Sequence, residues 1–165
     1  MRKSHMIVRA SLTILMWLLP LTLLGQGKGE HSGLGYLFFA PGAISCDRAG
    51  TLHIGGGGEA FFYKGLGFGA EVGYLAPWKT LGDGIGVLSL DGVYQFKPAK
   101  KTVPFVLGGY SLAFRSSTAN AINFGAGVNY WFHDKVGLRL EFRDHVPIYE
   151  SNCHFLGFRI GLSFR

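Results

Sequence analysis

The sequence predicts an all-β chain: an eight-stranded antiparallel up-and-down transmembrane β-barrel, preceded by a cleaved signal peptide. Three observations support this prediction. From residue 33 onward, segments of the chain alternate large apolar residues with small or polar ones, which is the period of a β-strand. The chain has 26 Gly and 14 Phe but only 16% charged residues, which is unusual for a soluble domain. Its first residues have the pattern of a secretion signal.

Residues 1–25 are predicted to be the signal peptide, with cleavage near residues 25–27. Basic residues precede an apolar run from Ala10 to Leu24, and small residues follow it, as a signal peptidase requires. The run is shorter than the roughly 20 residues of a spanning helix. A single domain, the outer-membrane-type barrel of residues 33–165, is expected after cleavage. The remaining basic excess is mild and spread along the chain, so it indicates no nucleic-acid partner.

The strands follow in order from alternation and from the turn signals between them. The first three are separated by the polar stretch 45–50 and by Lys64-Gly65, and a lysine-rich turn divides the fourth from the fifth. The last three show the clearest alternation, as where Ile122 and Phe124 flank Asn123. The predicted strands are residues 33–44, 51–63, 66–77, 85–96, 102–114, 121–132, 136–143 and 153–164. Eight is the smallest usual number for a closed membrane barrel, and roughly 9 to 11 residues cross the bilayer.

Short and longer connections alternate along the chain. The short ones are residues 64–65, 97–101 and 133–135, and the longer ones are 45–50, 77–84, 115–120 and 144–152. Bacterial barrels place short turns in the periplasm and longer loops outside. The short turns are basic through the lysines at 64, 97, 100, 101 and 135. Ordinary solvation explains such turns, and binding to an anionic envelope polymer is the alternative.

The polar face of each strand is rich in glycine, and this composition decides which face points inward. A strand face in water favours Thr, Lys and other long polar side chains, whereas Gly weakens a strand. A narrow eight-stranded lumen has room for small residues beside a few charged ones. Glycine is therefore assigned to the lumen and the aromatic residues to the lipid. Aromatic residues near predicted strand ends form candidate interface girdles: Tyr74, Tyr94, Phe96, Tyr130, Phe132 and Phe164.

This orientation predicts an ion-pair network in the lumen. Its members are Glu59, Glu71, Asp91, Arg139, Glu141, Arg143 and Arg159, with His53, Asn123 and Asn129 nearby. The Lys64-Gly65 turn predicts that Glu59 lies directly opposite Glu71, and like charges in that arrangement need a cation. The turn at residues 133–135 pairs Asn129 with Arg139 and Gly127 with Glu141. The hypothesis is that the three arginines reach Glu59, Glu71 and Asp91 and plug the barrel.

Two interpretations of these charges remain open. They either satisfy a polar core or form a gate whose pairs exchange to admit ions. The first is favoured because breaking a buried pair costs several kcal/mol.

The two cysteines predict a disulfide. Cys46 lies in the first long connection and Cys153 at the start of the eighth strand, and barrel closure makes the first and eighth strands neighbours. An oxidising compartment favours the bond. Free thiols are the alternative.

One polar segment contains several potential metal ligands, namely Asp144, His145, Glu150, Cys153 and His154. Zinc sites show paired Cys or His at fixed short intervals, and this segment does not. No metal and no cofactor is therefore predicted, and the segment is interpreted as a polar surface loop.

Three stretches carry a family resemblance: residues 125–132, residues 136–143 and the closing strand at 157–164. With them, residues 33–165 resemble small eight-stranded outer-membrane barrels, the OmpA transmembrane-domain and OmpX-like proteins. Arg165 follows the aromatic residue that usually ends such chains. The resemblance implies a monomer in the outer membrane of a Gram-negative-type bacterium. It also implies outer-membrane lipid and lipopolysaccharide as partners, with the barrel assembly machinery during insertion.

The function expected from these features is non-enzymatic, either structural in the envelope or a matter of contacts made by surface loops. One alternative is a lipid A-modifying enzyme, a deacylase or acyltransferase, because some barrels of this kind carry a His-x-Ser pair and an acidic residue. Here Glu141 and His145 lie close together, but residue 147 is Pro, so no nucleophile and base pair is evident. A narrow ion pore is another alternative. A soluble exported carrier with an apolar lumen is the structural alternative.

Overall fold

The computed structural model describes residues 33–46, 49–98, 100–149 and 153–165. Eight antiparallel strands form a closed barrel in which each strand pairs with its sequence neighbours and β1 pairs with β8. They are β1 (Gly33–Ile44), β2 (Ala49–Tyr63), β3 (Leu66–Pro77), β4 (Ile85–Gln95), β5 (Thr102–Phe114), β6 (Thr118–Trp131), β7 (Val136–Pro147) and β8 (Phe155–Phe164). The predicted fold class is confirmed. The predicted signal peptide lies outside the described residues.

Three strands, β1, β3 and β5, have the predicted bounds, and the largest error concerns β7. It continues to Pro147 instead of ending at residue 143, because Asn123 pairs with His145 and Ala121 with Pro147. Polar residues at 144 and 145 resemble a loop, but the strand continues because His145 faces the polar lumen and Asp144, on the other face, contacts His154. The connection predicted at 115–120 is likewise shorter, because β6 begins at Thr118, which pairs with Phe114.

The connections define two ends of the barrel. The turn end carries residues 64–65, 96–101 and 132–135, and the loop end carries the connections around residues 45–48, 78–84, 115–117 and 148–154. One short 3-10 helix, Leu81–Asp83, lies at the loop end. In the described part of the chain, no helix combines the length and apolarity that crossing a membrane would require.

Large apolar side chains cover the outside of the barrel. Phe124 is 52% exposed and Phe142 is 51% exposed, whereas Asn123 and Arg143 beside them are each 1% exposed. All six residues of the predicted aromatic girdles are exposed as well. This distribution is the reverse of that in a soluble protein, and it fits a surface that contacts lipid acyl chains.

The lumen is not filled by glycine and polar residues alone. A buried cluster comprises Leu34, Tyr36, Phe38, Ala40, Val103 and Trp131, and a second comprises Val93, Phe105 and Leu107. Most of these residues lie in the halves of their strands nearest the turn end. The buried apolar side chains are therefore concentrated in the half of the lumen nearest the turn end.

The register differs from the prediction at one hairpin. Glu59 pairs with Gly69, and Glu71 pairs with Gly57, so the prediction that the two glutamates lie directly opposite each other is wrong. Next to the turn Tyr63 pairs with Leu66, one residue away from the predicted register. An irregularity between Phe61 and Tyr63 then shifts the register by one further residue, as a β-bulge does. In the β6–β7 hairpin the predicted pairs are confirmed, Asn129 with Arg139 and Gly127 with Glu141.

Candidate functional site

The candidate site is a network of seven charged side chains in the lumen. Each is at most 4% exposed. They lie on β2, β3, β4, β7 and β8: Glu59, Glu71, Asp91, Arg139, Glu141, Arg143 and Arg159. Because side chains two residues apart share a face of a strand, β7 alone contributes three consecutive inward residues. We refer to these seven residues as the lumen network.

Glu141 organises the arginines of β7. Arg139 Nε donates to Glu141 Oε2 at 2.9 Å, and Arg143 Nε donates to Glu141 Oε1 at 2.6 Å. Arg159 Nη1 lies 3.5 Å from Glu141 Oε1. One carboxylate therefore fixes the orientation of two guanidinium groups and contacts a third.

Each arginine also reaches a carboxylate on the other side of the barrel. Arg139 Nη2 donates to Glu59 Oε1 at 2.7 Å. Arg143 Nη1 donates to Asp91 Oδ2 at 2.9 Å. Arg159 Nη1 donates to Glu71 Oε2 at 2.5 Å. The structure thus brings together all seven residues singled out in the sequence, and the ion pairs span the lumen.

Aromatic rings hold two of the guanidinium groups. The Arg139 guanidinium lies 4.2 Å from the centroid of the Tyr36 ring and 4.0 Å from that of the Phe105 ring. The Arg159 guanidinium lies 4.2 Å from the Phe38 centroid. Such cation–π contacts are stronger when desolvated. Sequence reasoning missed these rings because both faces of β1 and of the first half of β5 are apolar, so alternation does not show which face is inward.

Tyr36 also contributes its hydroxyl group, which donates to Glu71 Oε2 at 2.9 Å. Two lumen side chains lie so close to a neighbouring strand that the residue there must be glycine. A Cβ at Gly57 would lie 2.7 Å from the Tyr36 hydroxyl oxygen, and a Cβ at Gly109 would lie 2.6 Å from Asp91 Oδ1. The lumen glycines therefore provide space for the long polar side chains.

Two histidines lie beside the network on the side of the loop end. Arg159 Nη2 is 3.4 Å from His53 Nδ1 and 3.3 Å from His145 Nε2. A guanidinium only donates, so both ring nitrogens must accept and both imidazoles must be neutral in this arrangement. His145 Nδ1 then donates to Ser111 Oγ at 3.1 Å.

Amides and hydroxyls extend the network toward its surroundings. Asn123 Nδ2 donates to Asp91 Oδ1 at 2.8 Å and to Ser111 Oγ at 2.9 Å. Near the turn end, Ser163 Oγ donates to Asn129 Oδ1 at 3.0 Å. Asn123 and Asn129, which were predicted to lie near the charges, are thus hydrogen-bonded in the lumen. Asn123 lies on the loop-end side of the network and Asn129 on the turn-end side.

A cavity at the loop end leads toward the network. It is lined by Thr51, His53, His145 and other residues, and Arg143 and Arg159 line it where it meets the ion pairs. The lumen network and the buried apolar clusters lie between this cavity and the turn end. They therefore separate the cavity from the turn end.

A disulfide joins Cys46 to Cys153, whose Cα atoms are 5.1 Å apart. It links the connection after β1 to the residues just before β8. Next to it, His154 N donates to Ser45 Oγ at 2.9 Å, and Ser45 N donates to the His154 carbonyl oxygen at 3.0 Å. The bond fastens the loop end where the first and last strands meet.

The residues considered as metal ligands do not converge. Asp144 and His145 belong to β7 instead of a surface loop, so that interpretation is wrong; the side chain of His145 points to Ser111. Asp144 Oδ2 lies 2.7 Å from His154 Nδ1, Cys153 is in the disulfide, and Glu150 lies outside the described residues. In the part of the chain that the structure describes, no three His, Cys, Asp or Glu side chains are grouped for a metal ion.

Comparison with known proteins gives matches at the level of structure alone. No family model matches the chain, and no curated protein matches it in sequence. Neisserial surface protein A (NspA) superposes with a TM-score of 0.61 at 15% identity, over 80% of this chain and 94% of NspA. The N-terminal β-barrel domain of Pseudomonas aeruginosa OprF gives a TM-score of 0.58 at 16% identity, over 81% and 98% of the two chains.

The outer membrane enzyme PagL gives a TM-score of 0.52 at 14% identity, over 79% of this chain and 99% of PagL. At these identities the similarity establishes the fold. The fold and the apolar exterior together support the predicted localisation in the bacterial outer membrane. The chain has the fold of the small eight-stranded outer-membrane β-barrels.

Proposed function

We propose that this chain is a non-enzymatic outer-membrane protein in which the lumen network plugs the barrel. Its role is structural in the envelope or consists of contacts made by its loop end. In this proposal the loop end faces the medium and the turn end faces the periplasm. The observation that carries the proposal is the pairing of three arginines with four carboxylates across a lumen in which none is more than 4% exposed.

A fixed plug is favoured over an exchanging gate by the number of contacts that each arginine makes. Arg139 bonds Glu59 and Glu141 and lies against two aromatic rings, so any rotation would break several contacts at once. Removing one partner from a buried pair typically costs about 3–5 kcal/mol. A plugged lumen offers no path for a solute, and a structural protein does not need one.

Planar-bilayer recording tests the plug. Purified protein is expected to insert without producing a steady conductance. A steady conductance in the wild-type protein would contradict the proposal and would favour the narrow ion pore. Recording in parallel with a porin of known conductance establishes that the bilayer reports open channels.

A second candidate function, a lipid-modifying enzyme, is favoured by the pair formed by Asp144 and His154. A carboxylate at 2.7 Å from His Nδ1 is the arrangement that orients a catalytic base, and the His154 side chain is 41% exposed. PagL, which has a similar fold, is an enzyme. Among the described residues, no hydroxyl group hydrogen-bonds His154 Nε2, which is why we rank this candidate second.

Mass spectrometry of lipid A after incubation with the purified protein separates the two candidates. We expect no change in mass with either the wild-type protein or H154A. A change that the wild-type protein causes and H154A does not would replace the scaffold proposal with the enzyme. For the scaffold, the partners we propose are outer-membrane lipid and lipopolysaccharide around a monomeric barrel, with the barrel assembly machinery during insertion.

A further inference from the structure

Two turns at the turn end hold lysine in a backbone conformation that lysine rarely adopts. Lys64 has φ 44° and Lys97 has φ 53°, and within the described residues these are the two non-glycine residues with positive φ. Gly65, with φ 90°, completes the two-residue turn after β2. Such turns favour Asn or Gly, because a Cβ is crowded in the left-handed region. Turn geometry therefore does not explain why lysine stands at these two positions.

The same end of the barrel is rich in positive charge. Besides Lys64 and Lys97 it carries Lys100, Lys101, Lys135 and Arg165, while Asp134 is the acidic residue of its described connections. The loop end differs, because there Arg115 Nη2 lies 3.2 Å from Asp83 Oδ1 and the opposite charges form a pair. The turn end thus presents cations with little internal compensation.

Two of these cations are held against the side wall of the barrel. Lys64 Nζ lies 5.1 Å from the centroid of the Tyr63 ring, and Lys101 Nζ lies 5.2 Å from that of the Tyr130 ring. Tyr63 is 61% exposed and Tyr130 is 42% exposed, so both rings face outward. Outward aromatic residues near strand ends lie at the level of the lipid headgroups. The ammonium groups are therefore beside headgroups and not at the centre of the barrel mouth.

We propose that the turn end binds anionic phospholipids of the surrounding leaflet through their headgroup phosphates, with Lys64, Lys97 and Lys101 as the principal contacts. A lysine near a membrane surface interacts favourably with anionic lipid, and cation–π contact with tyrosine directs the ammonium sideways. The inference rests on the membrane placement in the proposed function. Beyond that placement, it specifies the class of lipid, anionic phospholipid, and the leaflet, the one on the side of the turn end.

Native mass spectrometry of the full chain in nanodiscs tests the inference. The bilayer contains phosphatidylcholine and phosphatidylglycerol in equal amounts, and the readout is the ratio of the two lipids retained by the barrel. The wild-type protein is expected to retain phosphatidylglycerol preferentially. K64N/K97N keeps residues that tolerate positive φ, so the barrel should fold while its preference falls by at least about fivefold.

The control variant K79N/R115Q removes the same charge from the loop end and should keep the wild-type ratio. Equal retention of the two lipids by the wild-type protein, or an equal loss in the control variant, would overturn the inference. So would displacement of the lipid by soluble peptidoglycan fragments, which would assign the lysines to an anionic polymer. Failure of the chain to enter nanodiscs, or to show heat-modifiable mobility on a detergent gel, would instead contradict the proposed membrane placement.

Discussion

Arg139 of β7 and Glu59 of β2 meet in the lumen at 2.7 Å although they are 80 positions apart in the sequence. The two ends of this bond are not equivalent. Arg139 forms ion pairs with both Glu59 and Glu141, whereas Glu59 forms its ion pair with Arg139. Removing the arginine leaves two carboxylates with one cation fewer, while removing Glu59 leaves Arg139 paired with Glu141.

We therefore predict that R139A lowers the free energy of unfolding by about 3–5 kcal/mol and that E59A lowers it by less. Urea titration in lipid vesicles, followed by tryptophan fluorescence, measures both values. L138A, on the outer face of the same strand, serves as a control for an unrelated truncation. A larger loss for E59A than for R139A would show that Glu141 does not share the arginine.

Removing the arginines that line the loop-end cavity should open the barrel. In R143A/R159A, the two guanidinium groups that line the cavity and pair with lumen carboxylates are absent. We expect steady conductance in planar bilayers, with selectivity for cations because Glu71, Asp91 and Glu141 stay in the lumen. F142A, which shortens an outward side chain, should remain closed, and a closed R143A/R159A barrel would mean that the apolar clusters suffice to block it.

Acid should destabilise the barrel through His53 and His145. The folded arrangement requires both rings to be neutral where they accept from Arg159, with Arg143 nearby, whereas the unfolded chain protonates them below about pH 6.5. The unfolded state thus binds more protons, and the stabilising contribution, present at higher pH, is lost as the pH falls. Unfolding titrations from pH 7.5 to 5 should show this decline. H53F, which keeps a ring against Phe38, should reduce the slope, and an unchanged slope would contradict the assignment.

Reduction of the disulfide should weaken the barrel without opening it. Cys46 and Cys153 are 107 positions apart. In the entropic model, a cross-link that closes a loop of that size lowers the entropy of the unfolded chain and so stabilises the folded state by roughly 4–5 kcal/mol. C46S/C153S is expected to lose a stability of this order. Alkylation followed by intact-mass measurement provides the check on the bond itself, because the wild-type protein should take up label only after reduction.

Sequence reasoning predicted most of the strands and the inward face of β7, because a period of two places Arg139, Glu141 and Arg143 on one side. It failed where the pattern carried no information. The two-residue turn pairs Tyr63 with Leu66, one residue away from the predicted register. The shift between Phe61 and Tyr63, which leaves no trace in composition, adds a second residue, so Glu59 does not lie opposite Glu71. The rings of Tyr36 and Phe38 were missed for a related reason, since their neighbours on β1 are equally apolar.

The Asp144 and His154 pair shows a different limit. In the sequence the two residues belonged to one polar stretch that resembled a loop. In the structure, strand pairing continues past Asp144, and the turn back to β8 brings His154 to it. Contacts between side chains on neighbouring strands depend on where the hairpin turns, and polarity alone does not set that point.

The division of charge between the two halves of the chain has a consequence for biogenesis. All three network arginines belong to the final hairpin, whereas Glu59, Glu71 and Asp91 belong to strands made earlier. A nascent or truncated polypeptide that lacks the last hairpin would keep three acidic groups without their counterions. Pairing these carboxylates with arginines and joining the last strand to the first are thus a single event, so a chain without the last hairpin does not reach this low-energy state.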